Sequence, residues 1–590
     1  MKKKQVYVLA LATAIMSTAV PVNGVDVMQS AIVSQADSAP SLSVKSITVK
    51  PGDEITVNVN ANGVKILSCE WNCDEVTNAY CSSNINQTIY PRYRGAHKIE
   101  CTVKYKVGKK VKKKKLVCNV TVAGEYDAEL VIKKNVVVEC KNKKKVTRAI
   151  IPEGVTKIAD KVFYGCYNLD TVTLPKSLTS IGKYAFGSCK ISSIDLPNSL
   201  ETVDTAAFSN CPLYEVELPK GLKNIGEKAF DLIFAEDVTI PAGVTSLGYD
   251  IFGDEYTSLN FTVDENNPVY RCENNCIVEK ETNALVATGK YAEIPSSVKT
   301  IKYGALKGLR FADSITIPEG VEELEAGAFA SSYIKEIILP SSLKKISGNP
   351  VTYSVEEIKF SNENSKYAVV DDTIMEKETG KVVCAWNDGE IPTGAICLGK
   401  ESYQYVDIRS LNIPATCTKI ENKAINTNKL NKITIDSANP VLKLQDNGKT
   451  IMDTTSNTVV LGIAGSKIGE NVEVIGAGAY YKYEEDSEFQ QKLPTSVQRI
   501  EDSAFEYAGC KLDGKTVLGP NVTYIGERAF YKAEIGNLVI IPDSVTYIGK
   551  DAFCGWDDSE LRVKWKGITY MSPKTFLKAF HKEHPLKEEK

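Results

Sequence analysis

The sequence predicts a β-rich solenoid preceded by a small β-sandwich, and three observations predict it. A phrase, "LPKSLTSIGKYAFGSC" from Leu174 to Cys189, is rewritten as "LPKGLKNIGEKAFDLI" from Leu218, "IPAGVTSLGYDIFGDE" from Ile240 and "IPDSVTYIGKDAFCGW" from Ile541. Pro152, Pro175, Pro197, Pro219 and Pro241 advance together with Phe163, Phe186, Phe208, Phe230 and Phe252 by a step of roughly 22 residues, the period of a stacked repeat array. Ahead of the array, short runs such as "SITVKPGDEITVNVN", "VKILSCEWNC" and "KIECTVKYKVGKKVKKKKLVCNVTV" alternate apolar with polar residues between turn signals, as half-buried strands do.

In chain order, residues 1–24 read as a secretory signal peptide. Met1-Lys2-Lys3-Lys4 precedes an apolar run, Val6 to Val22, that is interrupted by Thr13, Ser17 and Thr18 and followed by small residues up to Gly24. The run falls short of the roughly 20 apolar residues a membrane span needs. No second hydrophobic span follows, so no transmembrane segment is expected once the signal is removed. Residues 25–41, "VDVMQSAIVSQADSAPS", lack periodicity and form a flexible linker.

Residues 42–123 are the sandwich. Trp71 beside Cys69, with Cys101 on a later strand, resembles the bacterial immunoglobulin-like domains, although Ile99 stands where their tyrosine corner would place a Tyr. Cys69, Cys73, Cys81, Cys101 and Cys118 crowd this stretch, and in an exported chain at least one disulfide is expected among them. With Cys140 just beyond, six cysteines leave fifteen connectivities open. Residues 124–145 read as a connector and N-terminal cap.

The array runs over residues 146–558. In "LDTVTLPKSLTSIGKYAF", Leu169, Val172, Leu174, Leu178, Ile181, Ala185 and Phe186 share one interior that a single repeat is too short to cover, so neighbouring coils must stack on it. Burying each such side chain contributes on the order of 1.5–3 kcal/mol, which offsets the ordering entropy of a coil only when both neighbours are present. The pattern Leu-x-x-Val-x-Leu-Pro-x-x-Leu-x-x-Ile-Gly-x-x-Ala-Phe-x-x-Cys, read from Leu169 to Cys189, resembles the BspA-type leucine-rich repeat of bacterial and protozoan surface proteins. That resemblance implies a curved solenoid with a parallel sheet on its concave side. It also implies an extracellular or surface-associated role in adhesion to host protein, matrix or another cell.

Three longer insertions, "FTVDENNPVYRCENNCIVEKETNALVATG", "IKFSNENSKYAVVDDTIMEKETGKVVCAW" and "ITIDSANPVLKLQDNGKTIMDTTSNTVVLGI", read as β-hairpins on widened repeats. Residues 559–590 form a C-terminal cap of strands plus a short helix. Ser572-Pro573 start that helix, and Phe576 and Phe580 share one of its faces.

Lys and Arg total 71 against 74 Asp and Glu, a net charge of −3 that gives no electrostatic reason to expect nucleic acid. The three histidines, His97, His581 and His584, lie outside the repeats, so a Cys-His or Ser-His nucleophile within the array has no base. No carboxylate pair stands out for glycan cleavage, and neither catalysis nor a cofactor is expected. Cys272-x-x-x-Cys276 lacks a second metal-ligating pair nearby and reads as a disulfide. Cys166, Cys189 and Cys211 recur at one position of the repeat and read as a buried thiol column.

Two binding surfaces remain. Strand side chains alternate, so each Leu-x-x-Val-x-Leu-Pro segment turns two residues away from the core: Thr171 and Thr173, Ser193 and Asp195, Glu215 and Glu217, Asp237 and Thr239. This hydroxyl and carboxylate strip is the expected site for an extracellular protein. Lys109, Lys110, Lys112, Lys113, Lys114 and Lys115 form a basic hairpin tip that would take an anionic polysaccharide. A glycan-active secreted solenoid and a structural surface-layer component are the alternative functions. The Asn-x-Thr sequons at Asn86, Asn119, Asn260 and Asn521 matter only in a eukaryotic host.

Overall fold

The computed structural model describes residues 39–585 apart from 51–54, 73–84, 90–94, 253–258, 482–492, 509–515, 534–537, 555–560 and a few shorter breaks. The signal peptide and most of the linker read from the sequence lie outside the described residues. The chain divides into two compact units that meet in sequence near residue 122.

In the first unit, Ser41–Leu42, Ile55–Asn60 and Asn86–Ile89 form one antiparallel sheet. Ser46–Val49, Lys110–Val122, Gly95–Val107 and Lys65–Asn72 form a second, in that order. Period-two alternation puts Val57 and Val59 from the first sheet into one buried cluster with Ile99, Val103, Cys118 and Val120 from the second. Cys69 faces Val103 and Trp71 faces Cys101 across the same pair of strands, so both cysteines belong to one sheet. An immunoglobulin-type bridge would instead join two sheets. Cys69 and Cys101 are free thiols hydrogen-bonded to each other, Cys118 is also free, and Cys73 and Cys81 lie outside the described residues. The bridge expected here is therefore not formed among the described cysteines.

Each coil of the second unit has three sides. On the first, Leu-x-x-Val-x-Leu-Pro segments pair in parallel where strands form, as Arg148–Ile150 does with Thr171–Thr173 and Asp237–Ile240 with Asn260–Val263. On the second, two-residue rungs form a longer ladder: Lys157, Ser180, Thr202, Asn224 and Ser246 stand side by side, each followed by an inward Ile, Val or Leu. On the third, a turn carries the phenylalanine. There Tyr184, Phe186 and Ser188 donate their N–H groups to the carbonyls of Thr205, Ala207 and Ser209 in the next coil, at 3.0, 2.8 and 2.8 Å. The left-handed φ of Tyr184 and Ser188, 51° and 59°, lets alternate N–H groups point the same way along the stack.

The interior matches the pattern read from the repeat. Leu169, Leu178, Ile181, Ala185 and Phe186 are fully buried, and Val172 and Leu174 pack against them half-buried. Phe163, Phe186, Phe208, Phe230 and Phe252 stack nearly parallel with centroids 5.1, 5.2, 5.5 and 5.9 Å apart. Coils approach closely at the Ile-Gly step. A Cβ on Gly226 would lie 2.4 Å from the backbone N of Thr205, so only glycine fits there.

The three insertions go further than hairpins. Each is an antiparallel meander of three strands, the first being Tyr270–Glu273, Cys276–Glu279 and Ala284–Thr288, and its third strand becomes the next parallel rung of the second side. Asn274 and Asn275 in one tip, and Asp371 and Asp372 in another, take the paired left-handed conformation that tight hairpins need. Each meander opens on a buried asparagine. Asn267 Nδ2 donates to the carbonyls of Pro241 and Val244 in the coil before, while its Oδ1 accepts from the N–H groups of Val269 and Tyr270. Asn364 and Asn439 repeat the arrangement. In uninterrupted coils a serine hydroxyl does the simpler version, as Ser199 Oγ does on Leu178 O at 2.7 Å.

The meanders divide the core into four clusters. The last is closed by the hairpin Arg562–Trp565 and Ile568–Tyr570 and the helix Pro573–Glu583. Ser572 caps that helix by accepting from Thr575 N, and Phe576 and Phe580 are buried against Trp565.

Candidate functional site

The exposed strip is built coil by coil. Thr171, Thr173, Ser193, Asp195, Glu215, Glu217, Asp237 and Thr239 are all exposed, and the residue between each pair is half-buried or buried. Thr171–Thr173 and Asp237–Ile240 are strands, whereas Ser193–Asp195 and Glu215–Glu217 carry the same alternation without a strand ladder. Those two coils are tied instead by Lys190 N on Leu169 O at 2.8 Å and Tyr214 N on Ser192 O at 3.1 Å. Neighbours on the strip bond sideways: Asn260 Nδ2 donates to Asp237 Oδ1 at 3.0 Å, and Thr239 and Thr262 share a hydroxyl bond at 2.7 Å. These contacts fix the Asp237 and Thr239 side chains at the end of the row.

The lysine run is a strand rather than a hairpin tip. Gly108 and Lys109 make the turn, and Lys110 to Lys115 continue into Lys110–Val122, paired along Gly95–Val107. The alternation splits the run between two faces. Lys112 and Lys114 share the face of the buried Leu116 and Cys118, while Lys113 and Lys115 point the other way. There Lys113 lies directly opposite Lys104, and Lys106 opposite Lys65. Lys115 Nζ pairs with Glu100 Oε2 at 2.7 Å. Gly108 was the signal for the turn's position, since it precedes the run.

Three features of the second side were not foreseen. Beside the second meander a cleft of about 330 Å³ is lined by Ser347, Gly348, Lys381, Lys400, Glu401 and Glu421. Glu421 is partly buried, which alone would raise its carboxyl, but Lys381 Nζ at 2.7 Å and the Lys400 N–H hold it below the ordinary range. Beside the third meander a cleft of about 350 Å³ is lined by Thr418, Lys419, Asn422, Asp453, Thr458 and Glu501. Further along, the Arg499 guanidinium lies 4.0 Å over the Tyr524 ring, which stacks on Tyr547 at 4.7 Å. The signal for this stack was the residue before Ile in "QRIE", "TYIG" and "TYIG". The clefts carried no local signal, because they exist only where a meander meets coils distant in sequence.

The cysteines divide differently from the sequence reading. Cys272 faces Ile277 and Glu273 faces Cys276 across their hairpin, which sets Cys272 and Cys276 on opposite faces. Both are free thiols, Cys272 donating to Phe261 O at 3.1 Å and Cys276 to Glu293 O at 3.5 Å, so the bridge expected between them is not formed. Cys166, Cys189 and Cys211 are buried and free. Among the described residues no group of three or more His, Cys, Asp or Glu is placed to hold a metal ion, and no helix is long and apolar enough to cross a membrane.

Stacked coils that each add polar side chains to a common exposed row define a repeat scaffold of the kind that presents an extended surface to a macromolecule. The chain belongs to the BspA type leucine rich repeat family, whose model matches residues 135–259, 287–369, 383–447 and 462–580 in six copies. The three breaks in that match fall on the three meanders, and the first unit lies outside it. Solved structures that resemble the chain include a leucine-rich repeat protein from Eubacterium ventriosum, 17% identical, covering 80% of this chain and 97% of its own with a TM-score of 0.35. The pneumococcal vaccine antigen PcpA is 18% identical over 72% of this chain and 82% of its own, with a TM-score of 0.31. A leucine rich cell surface protein from Faecalibacterium prausnitzii is 21% identical over 57% and 80%, with a TM-score of 0.28. No curated protein matches the sequence.

Proposed function

We propose that this protein is exported and, at a cell surface or in the medium, binds an extracellular protein of a host matrix or another cell along the strip from Thr171 to Thr239. The observation that carries the reading is the row itself: eight exposed hydroxyl and carboxylate residues on successive coils, with Asp195, Glu215, Glu217 and Asp237 supplying acidity at its centre. A surface held on a repeating scaffold pays little ordering entropy when a partner docks. The test is a solid-phase assay on matrix proteins with those four carboxylates replaced by Ser or Thr. Weakened binding with an unchanged fold supports the strip, whereas binding equal to the parent removes it as the site.

A second reading is favoured by the cross-strand lysines. Lys113 against Lys104 and Lys106 against Lys65 place like charges face to face, an arrangement that an anionic polysaccharide would relieve. Neutralising Lys112 to Lys115 should then abolish polyanion binding, and binding by the parent should fall steeply with salt, because exposed charges are screened beyond about 8 Å at physiological ionic strength. Salt-independent binding would dismiss it.

A further inference from the structure

The thiol column ends in an exception. Cys211 Sγ donates back to Phe186 O at 3.1 Å and Cys189 Sγ to Phe163 O at 3.2 Å, steps of 25 and 26 residues to the coil before. From Cys166 the same step back reaches the end of the strand Val136–Cys140, and the residue there is another cysteine. The two sulfurs share a hydrogen bond, and Cys140 Sγ lies 3.3 Å from Asn142 Oδ1. Both side chains are buried in one core cluster. Two sulfurs therefore meet where the rest of the column sets a sulfur against an oxygen.

We propose that Cys140 and Cys166 are a disulfide site that locks the N-terminal hairpin of the solenoid, Leu130–Lys133 with Val136–Cys140, onto the first coil. That hairpin has a coil on one side only, through Val136 and Val137 against Lys157 and Ile158, so it is the end from which the stack would fray. A covalent link across it removes that freedom.

The pair is also chemically asymmetric. The bond from Cys166 holds the Cys140 thiol below the ordinary cysteine range, with the Asn142 backbone N–H and the Lys143 ammonium helping, while the same bond and burial push Cys166 up. Both sulfurs are buried, so exchange begins when the terminal hairpin frays and one of the two thiols ionises in solvent. That thiolate attacks one sulfur of an external disulfide of the glutathione type and expels one thiolate. The other cysteine of the pair then gives up its proton to solvent and displaces the second thiolate from the mixed disulfide. Two S–H groups become one S–S bond, and the oxidant accepts two electrons and departs as two thiols.

The experiment equilibrates the full chain in oxidising glutathione buffer, quenches with acid, and alkylates after unfolding without reductant. The expected product is a linked pair of peptides carrying Cys140 and Cys166, lighter by two hydrogens than the reduced pair, with Cys189 and Cys211 alkylated. Amide exchange in Leu130–Lys133 and Val136–Cys140 should be roughly tenfold or more slower in the oxidised than in the reduced chain. The double variant C140S/C166S should exchange alike under both conditions. Complete alkylation of Cys140 and Cys166, or a link from Cys166 to Cys189, overturns the site. Equal exchange in the oxidised and reduced chains overturns the locking role.

Discussion

The solenoid is held together in two ways, one in its uninterrupted arms and another at its meanders. Among the described residues the face-to-face ring stacks within the core fall in two runs, Phe163 to Phe252 and Tyr480 to Phe553, with centroid spacings of 5.1–5.9 Å. Around the meanders, buried and half-buried polar side chains reach across the inserted residues. Lys307 Nζ meets Asp250 Oδ1 at 2.8 Å, and Asn349 Nδ2 donates to Ala385 O and Ser402 O at 2.8 and 2.9 Å. Glu506, almost fully buried, accepts from both Lys423 and Arg528. An apolar column tolerates any coil that repeats the same shape, whereas a joint between unlike coils needs directional bonds to set its position. Periodicity stabilises the arms, and hydrogen-bond geometry places the meanders.

The largest expected loss comes from breaking a column. Phe208 is fully buried between Phe186 and Phe230, so Phe208→Ala should cost roughly 3–5 kcal/mol in chemical denaturation. A surface-like loss would show that stacking does not carry the arms. At a meander, Asn267→Ala strands two carbonyls and two N–H groups and should cost about 2–3 kcal/mol. Its exchange signature should be confined to the first meander and the coil before it, and uniform loosening of the chain would contradict a local joint.

The third test adds pH. Burial raises the Glu506 carboxyl, but bonds from Arg528, Lys423 and Ser503 outweigh it and hold the group below the ordinary glutamate range. A depressed folded-state value contributes stability that is fully present above the unfolded value, about 4.3, and is lost as pH falls through the folded-state value. Glu506→Gln should therefore cost roughly 2 kcal/mol at neutral pH and progressively less in acid. A penalty that stays constant with pH would remove charge from the account of that joint. The smallest effect is expected from Ser199→Ala, about 1 kcal/mol or less, because one half-buried hydroxyl bond is lost. A loss as large as that of Asn267→Ala would erase the distinction between arms and joints.

Much of this was legible in the residues. The recurring Phe and Ile-Gly steps announced the column and the close approach of coils, because each is a requirement one coil places on an identical neighbour. The insertions were legible as hairpins, each from a strand pair around Glu281-Thr282-Asn283, Glu378-Thr379-Gly380 or Thr455-Ser456-Asn457. That the last strand also continues the parallel ladder was not, since the partner of Ala284–Thr288 on its other side is Thr300–Ile301 in the next coil. The asparagine joints had a signal in Asn267-Pro268-Val269-Tyr270, Asn364-Ser365-Lys366-Tyr367 and Asn439-Pro440-Val441-Leu442. It is an Asn three residues before a Tyr or Leu that becomes buried. The lysine run was misplaced because charge hides strand alternation.

The sequence by itself determined the repeat, its interior and the polar residues left outside, because a period of side-chain size and polarity is local information that any stack of similar coils must obey. Only the tertiary structure decided which strip residues sit on strands, where the clefts open and which sulfurs meet. Those outcomes depend on register between coils, and register is set by bonds such as those of Asn349, Glu506 and Cys166, whose partners lie tens of residues away along the chain.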